Sequence, residues 1–229
     1  MFKRLVCFAL AAAAAFSLCA CTEKAKITEN GFTVRGREYV MCGDFSVYGI
    51  NKGEKYAVYG GEDVYTVEFE DPSRFLCIDD SGDLIIYRAA ELPEITLQEF
   101  NAIAAFIYDS SNTRWISSFF ADDEFLPEDQ RGINESQDTA ICYSITRALT
   151  EGENVEVFAD DILASNRYFI RLLSQKYPGL YYPVVFYGDI NGRFYLRDRA
   201  SGKSVVCPRD VLARMIGSAA AADESAAGV

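Results

Sequence analysis

The stretch ELPEITLQEFNAIAAFIY, residues 91–108, is where the chain changes grammar, and its reading decides the fold. Leu92-Pro93 ends what precedes it, because proline has no N–H to give a ladder and biases the residue before it away from helix. Thr96-Leu97-Gln98-Glu99 then spells a capping box, in which Thr96 accepts the Glu99 amide and Glu99 reaches back, with Ile95 and Phe100 placed as a hydrophobic staple. Leu97, Phe100, Ile103, Ala104 and Ile107 fall on one face at helical spacing, which predicts a helix from about 97 to 108.

Upstream, from Phe32 to Tyr87, helical periodicity is missing. Short β-branched and aromatic runs such as KYAVY and VYTVEF are broken by Arg35-Gly36, Asn51-Lys52-Gly53, Gly60-Gly61, Asp71-Pro72-Ser73 and the run Asp79 to Asp83. That spacing predicts about six strands in an antiparallel meander, a small barrel or sandwich. Downstream, strands are expected at RWISSFF and TAICYSI, and a second helix from Asp160 or Asp161 through YFIRLLSQKY to Pro178-Gly179. LYYPVVFYG and RFYLRD follow, joined through Asn191-Gly192, a two-residue hairpin signal. Ser201-Gly202-Lys203 turns into SVV, and Pro208 opens a last helix that buries Val211, Leu212, Met215 and Ile216 and stops at Gly217. The fold class expected is α+β: a β-rich module over 31–92, then an α+β module over 93–217 with about three helices and an antiparallel sheet. Residues 218–229, alanine, serine and acid, are expected to be disordered.

The chain opens with an export signal: Lys3 and Arg4, an alanine-dominated apolar stretch from Leu5 to Leu18, then small residues. The stretch is short of the roughly 20 residues of a permanent span, so removal of residues 1–20 is expected. Leu18-Cys19-Ala20-Cys21 resembles a bacterial lipobox, with leucine three places before a cysteine and a small residue just before it. The resemblance implies a thioether-linked lipid on Cys21 and placement on the extracytoplasmic face of a bacterial membrane. Cys19, preceded by bulky Leu18, leaves with Cys7. Residues 21–30 then read as a polar tether.

Removing Lys3 and Arg4 leaves 20 basic residues against 34 acidic ones, a net charge of −14. That field repels phosphate backbones and anionic headgroups, so nucleic acid is not an expected partner, and membrane attachment rests on acyl chains. A monomer with an unknown envelope ligand or protein partner is expected. The 229 residues contain no histidine, which excludes Ser-His and Cys-His nucleophile pairs, the HExxH zinc helix and carboxylate-histidine metal sites. Neither GxGxxG nor GxxxxGK[ST] occurs, and no cofactor is expected.

What remains is carboxylate chemistry or recognition. Asp79 to Asp83 fits a β-turn, since Leu84 stands where a calcium loop needs glycine. Asp122, Asp123, Glu124, Glu128 and Asp129 form an acidic loop that suits a hard cation or a catalytic carboxylate pair, or is simply solvated. Cys42, Cys77, Cys142 and Cys207 form no metal spacing; each sits in an apolar run, favouring buried free thiols over the pairs 42–77 and 142–207. A two-residue turn at Asn191-Gly192 would place Gly188 opposite Tyr195 and Phe186 opposite Arg197. One face then carries Phe186, Arg193, Tyr195, Arg197 and Arg199, a candidate for gripping a carboxylate or phosphate, and the other buries Val185, Tyr187, Phe194 and Leu196. The alternative is a solvated strand whose arginine stems cover apolar surface. Two function classes stay open: a non-enzymatic binding lipoprotein, or a histidine-independent hydrolase using paired carboxylates.

Overall fold

A computed structural model describes residues 23–43, 46–120, 135–136, 139–158 and 162–217. The export signal with Cys21, the cluster from Asp122 to Asp129, Asp160 and Asp161 and the 218–229 tail lie outside the described residues. The fold is α+β and dominated by antiparallel strands.

The N-terminal half holds β1 (Glu23–Lys24), β2 (Lys26–Ile27), β3 (Gly31–Val34), β4 (Arg37–Met41), β5 (Tyr48–Gly49), β6 (Lys52–Tyr59), β7 (Glu62–Val67), β8 (Phe75–Asp80) and β9 (Asp83–Ala89). Three of its connections are two-residue turns with both central residues at positive φ: Arg35-Gly36, Gly60-Gly61 and Ser81-Gly82. These are the turns whose twist matches that of the strands they join, so the meander β6-β7-β8-β9 assembles from local hairpins. In β8 every residue from Phe75 to Ile78 is buried: Phe75 and Cys77 face one core, Leu76 and Ile78 the other. The tether expected over 21–30 is shorter than its polarity suggested, because β1 pairs with β6 in parallel and β2 with β3 antiparallel. Those contacts are made by backbone amides, which composition does not reveal.

The first half of the capping box forms: the Thr96 side chain accepts from the Glu99 amide at the start of α1 (Leu97–Phe100), while the Glu99 carboxylate reaches back to accept from the Thr96 hydroxyl at 3.3 Å, and Ile95 and Phe100 are buried. The helix ends there rather than at 108. Asn101 turns left-handed at φ 53, and β10 (Ala104–Tyr108) follows. Ala105 and Ile107 enter the core while Phe106 and Tyr108 point away, so the period is two and not 3.6. β10 is hydrogen-bonded on both edges, to β11 (Trp115–Phe120) and to β13 (Ile162–Leu173). β12 (Glu135–Ser136) pairs with β11.

Two further expectations are reversed. TAICYSI belongs to α2 (Thr139–Glu151), not to a strand, and Ile141, Cys142, Ile145 and Leu149 bury one helical face. YFIRLL belongs to strand β13, not to a helix. There Ile170 and Leu172 enter the core, while Arg167, Phe169 and Arg171 stand on the opposite face. β14 (Leu180–Asp189) and β15 (Phe194–Asp198) form the expected hairpin, β16 (Ser204–Val206) adds to β15, and α3 (209–217) follows Pro208 as the last of the described elements. Val211 and Met215 of α3 are buried, but Ile216 is exposed.

The ladder runs β9-β5-β14-β13-β10-β11, so strands from both sides of Pro93 share one sheet through the two-residue β5. The larger core likewise takes Val67, Phe75 and Ile86 from one side and Phe100, Ile170, Tyr182 and Val184 from the other. Helices α1, α2 and α3 cover the inner face of the C-terminal strands. The outer face is the one that carries arginines.

Candidate functional site

The geometry of this outer face depends on the β14–β15 turn. Asp189 donates its amide to the Arg193 carbonyl at 2.9 Å, and the Gly192 amide donates to the Asp189 carbonyl at 3.1 Å, with Gly192 at φ 73. The loop is therefore three residues, Ile190-Asn191-Gly192, with glycine in the left-handed position of a bulge. The Asp189 carboxylate fixes it, accepting from the Asn191 and Arg193 amides and from the Tyr195 hydroxyl. Those donors, the Arg193 amide foremost, hold the carboxyl below the usual aspartate range.

One extra loop residue moves the register by one. Gly188 pairs with Phe194 and Phe186 with Leu196, in place of Tyr195 and Arg197. A one-residue slip exchanges faces. Phe186 consequently leaves the arginine face for the core, where it stacks on Phe194 at 5.5 Å. Val185 and Tyr187 take the reverse path and join Tyr195 on the outer face. Arg193 remains exposed in the loop connection, beside Tyr195 and not among the residues that line a cleft with Arg197 and Arg199. Tyr195, Arg197 and Arg199 keep the common face expected of them, with Tyr195 buried against Tyr187 and only the two arginines exposed.

The structure adds a third cation from β13. Arg167, paired with Tyr187 across β14, lines a cleft of about 370 Å³ together with Ile162, Val185, Tyr187, Arg197 and Arg199. Among the described residues, none of these three arginines makes an ion pair, whereas Arg35, Arg37, Arg88 and Arg147 each do. The Arg167 guanidinium carbon lies 4.9 Å from the Phe169 ring centroid and that of Arg199 5.4 Å from that of Tyr48, contacts that settle these two heads on aromatic rings. Three such forks around an apolar floor suit a multivalent anion, carboxylate or phosphate. Arg167 was missed because YFIRLL was read as helix; read as a strand, the alternation Arg167-Phe169-Arg171 puts both arginines on one face.

A wider cleft of about 560 Å³ lies on the inner side, lined among others by Ser46, Glu94, Thr96, Tyr182 and Asp198. Two carboxylates share its wall, the arrangement a hydrolase would need. Asp198, however, is fully engaged: it accepts from the Tyr182 hydroxyl at 3.0 Å, the Ala200 amide at 2.9 Å and the Ser201 hydroxyl at 2.7 Å. Glu94 is 71% exposed and faces Arg88 at 3.8 Å, the opposite of the apolar burial that keeps a general acid protonated. Burial, with Asp198 alongside, pushes the Tyr182 hydroxyl up.

The four cysteines are buried free thiols, and burial pushes Cys42, Cys77 and Cys207 up to about 12. Among the described residues no group of three or more Cys, Asp or Glu side chains is placed to hold a metal ion, and no helix is long and apolar enough to cross a membrane. No protein-family model, curated protein or solved structure matches this chain.

Proposed function

We propose that this chain is a lipid-anchored protein on the extracytoplasmic face of a bacterial membrane that binds an anionic envelope component without transforming it. Arg167, Arg197 and Arg199 form the contact. The observation that carries the binding reading is their convergence on one cleft without an ion pair among the described residues, in a chain with 34 acidic and 22 basic residues. Three guanidinium groups gathered on one cleft favour an external anion. The anchor reading is supported by Leu18-Cys19-Ala20-Cys21, since two or more acyl chains hold a protein stably where one does not.

Binding is tested with polygalacturonate, a carboxylate polymer, and polyphosphate, by calorimetry on the full chain. The double variant Arg167→Ala/Arg197→Ala is expected to lose at least about tenfold in affinity while its melting temperature stays within about 2 °C, as exposed substitutions usually do. Unchanged binding with a large stability loss would assign the arginines to structure. The anchor is tested separately: wild type fractionates with membranes, and Cys21→Ser leaves an uncleaved or soluble precursor. Incorporation of labelled lipid into Cys21→Ser, or its loss only in Cys19→Ser, would reject the assignment.

A further inference from the structure

A second cleft of about 330 Å³ opens on the same outer face, floored by Phe106, Tyr108 and Leu173 and rimmed by Ile50 and Trp115, which are 41% and 38% exposed. Among the described residues its one cation is Arg171. On β13 this residue is in register between Phe106 and Pro183, and its guanidinium carbon lies 4.1 Å from the Tyr108 ring centroid and 4.8 Å from that of Tyr181. Nε donates to the Asn112 side-chain oxygen at 3.3 Å, and Nη2 to the same oxygen at 3.2 Å and to the Asn112 carbonyl at 3.1 Å. Asn112 is itself fixed, at φ 58, in a loop where Asp109 accepts from the Thr113 and Arg114 amides and the Ser111 hydroxyl. The guanidinium is thus clamped between two rings and one asparagine, half-buried, with its Nη1 edge uncommitted and no carboxylate paired with it among the described residues.

A partly desolvated cation without a counter-ion is costly, and an anion arriving at Nη1 offsets that cost. The remaining walls restrict what can carry the anion. The Trp115 indole N–H is already used on the Ser117 carbonyl at 2.9 Å, so tryptophan presents its ring and not a donor. Ile50, Phe106 and Leu173 offer no hydrogen bonds. Besides Arg171, only the Tyr108 and Tyr181 hydroxyls could pair with a sugar, too few for its several hydroxyls, whereas an apolar chain with one charged end matches both the walls and Arg171.

We propose that this cleft binds an amphipathic carboxylate, an acyl chain whose carboxylate meets Nη1 of Arg171 and whose body lies against Trp115, Ile50 and Phe106. This does not rest on the lipid anchor or on the three-arginine cleft. Trp115 is the chain's only tryptophan, so its emission reports directly. The full-length chain is titrated with decanoate below its micelle threshold, with decanol as the uncharged match and acetate as the charge without the chain. Saturable, blue-shifting binding of decanoate is expected, with decanol about tenfold or more weaker and acetate silent, the difference a hydrogen bond to a charged group supports. Arg171→Gln should bring decanoate down to the decanol level. Ile50→Glu leaves the clamp around Arg171 untouched and sets a carboxylate on the apolar wall, so both ligands should weaken and decanoate by more than decanol, which tests the site even where Arg171→Gln does not fold. Equal binding of decanol and decanoate, no response to decanoate, or an Ile50→Glu variant that treats both ligands as wild type does would overturn the proposal. Tighter binding of acetyl-trileucine than of decanoate would overturn the acyl assignment in favour of a peptide end.

Discussion

Replacing Phe186 by alanine tests the register on which the arginine cleft depends. In the observed pairing its ring is 2% exposed, stacked on Phe194 at 5.5 Å and tilted against Tyr168 at 6.0 Å. A buried phenylalanine removes roughly 150–250 Å² from water, worth about 4–6 kcal/mol at ~25 cal/mol per Å². Alanine keeps a small part of that, and the ring contacts and the cavity left behind add to the loss, so a cost of about 3–5 kcal/mol is expected. For a chain of this size that lowers the melting temperature by about 6–20 °C. Urea unfolding followed by circular dichroism gives the free energy, and Arg197→Ala, exposed on the other face, serves as the control within about 0.5 kcal/mol. A Phe186→Ala cost below about 1 kcal/mol, as small as that of Arg197→Ala, would mean that residues 186 and 197 share the solvent face and that the three-residue turn is wrong.

Gly192→Val should cost about 1–2 kcal/mol, because φ 73 forces a β-branched side chain into the left-handed region, and its denaturation midpoint checks this. Cys42, Cys77 and Cys207, held up to about 12 by burial, should resist Ellman's reagent at pH 8 in the folded chain and react after unfolding in guanidinium; rapid native labelling would contradict their packing. Because the folded Asp189 carboxyl titrates below its unfolded value, its contribution to stability is present above the ordinary aspartate range and lost as pH falls through the depressed value. Asp189→Asn should therefore flatten the acid limb of the stability profile, and an unchanged limb would show that the turn does not depend on that charge.

The β meander was legible because its signals are local. Arg35-Gly36, Gly60-Gly61 and Ser81-Gly82 announce turns that need positive φ, and the runs between them are too short for helices. The capping box at Thr96 was legible for the same reason. What followed it was not: Phe100, Ile103, Ala104 and Ile107 fit a helical face by coincidence, and the observed strand is selected by two partners that lie elsewhere in sequence, β11 and β13. The same competition reversed β13, where the strand pattern Arg167-Phe169-Arg171 against Tyr168-Ile170-Leu172 overlaps a helical one. In α2 the error ran the other way, since β-branched TAICYSI shows its helical period only when read on to Leu149. At the candidate site the residue types were legible and their sides were not. Asn-Gly announces a hairpin, yet whether two or three residues form the loop depends on Asp189 capturing the Asn191 and Arg193 amides. That single choice sent Phe186 inward and brought Tyr187 out beside the arginines.

The two-residue strand β5 has a kinetic consequence. Gly49 pairs with Leu180, roughly 130 residues further along, while its other neighbour, β9, is joined to β8 and β7 by short turns. Closing a loop of that length costs about 4 kcal/mol in chain entropy, and two residues of ladder return little of it until the cores on either side are in place. The hairpins of the first half therefore order early, and the zipping of β14 onto β5 falls late, after the last strands have been made. In pulsed hydrogen exchange during refolding, amides of β7 to β9 should gain protection first and the Ile50 amide, which donates to the Gly179 carbonyl at 2.9 Å, last, giving this chain a slow, non-local final step between two halves that have already taken shape.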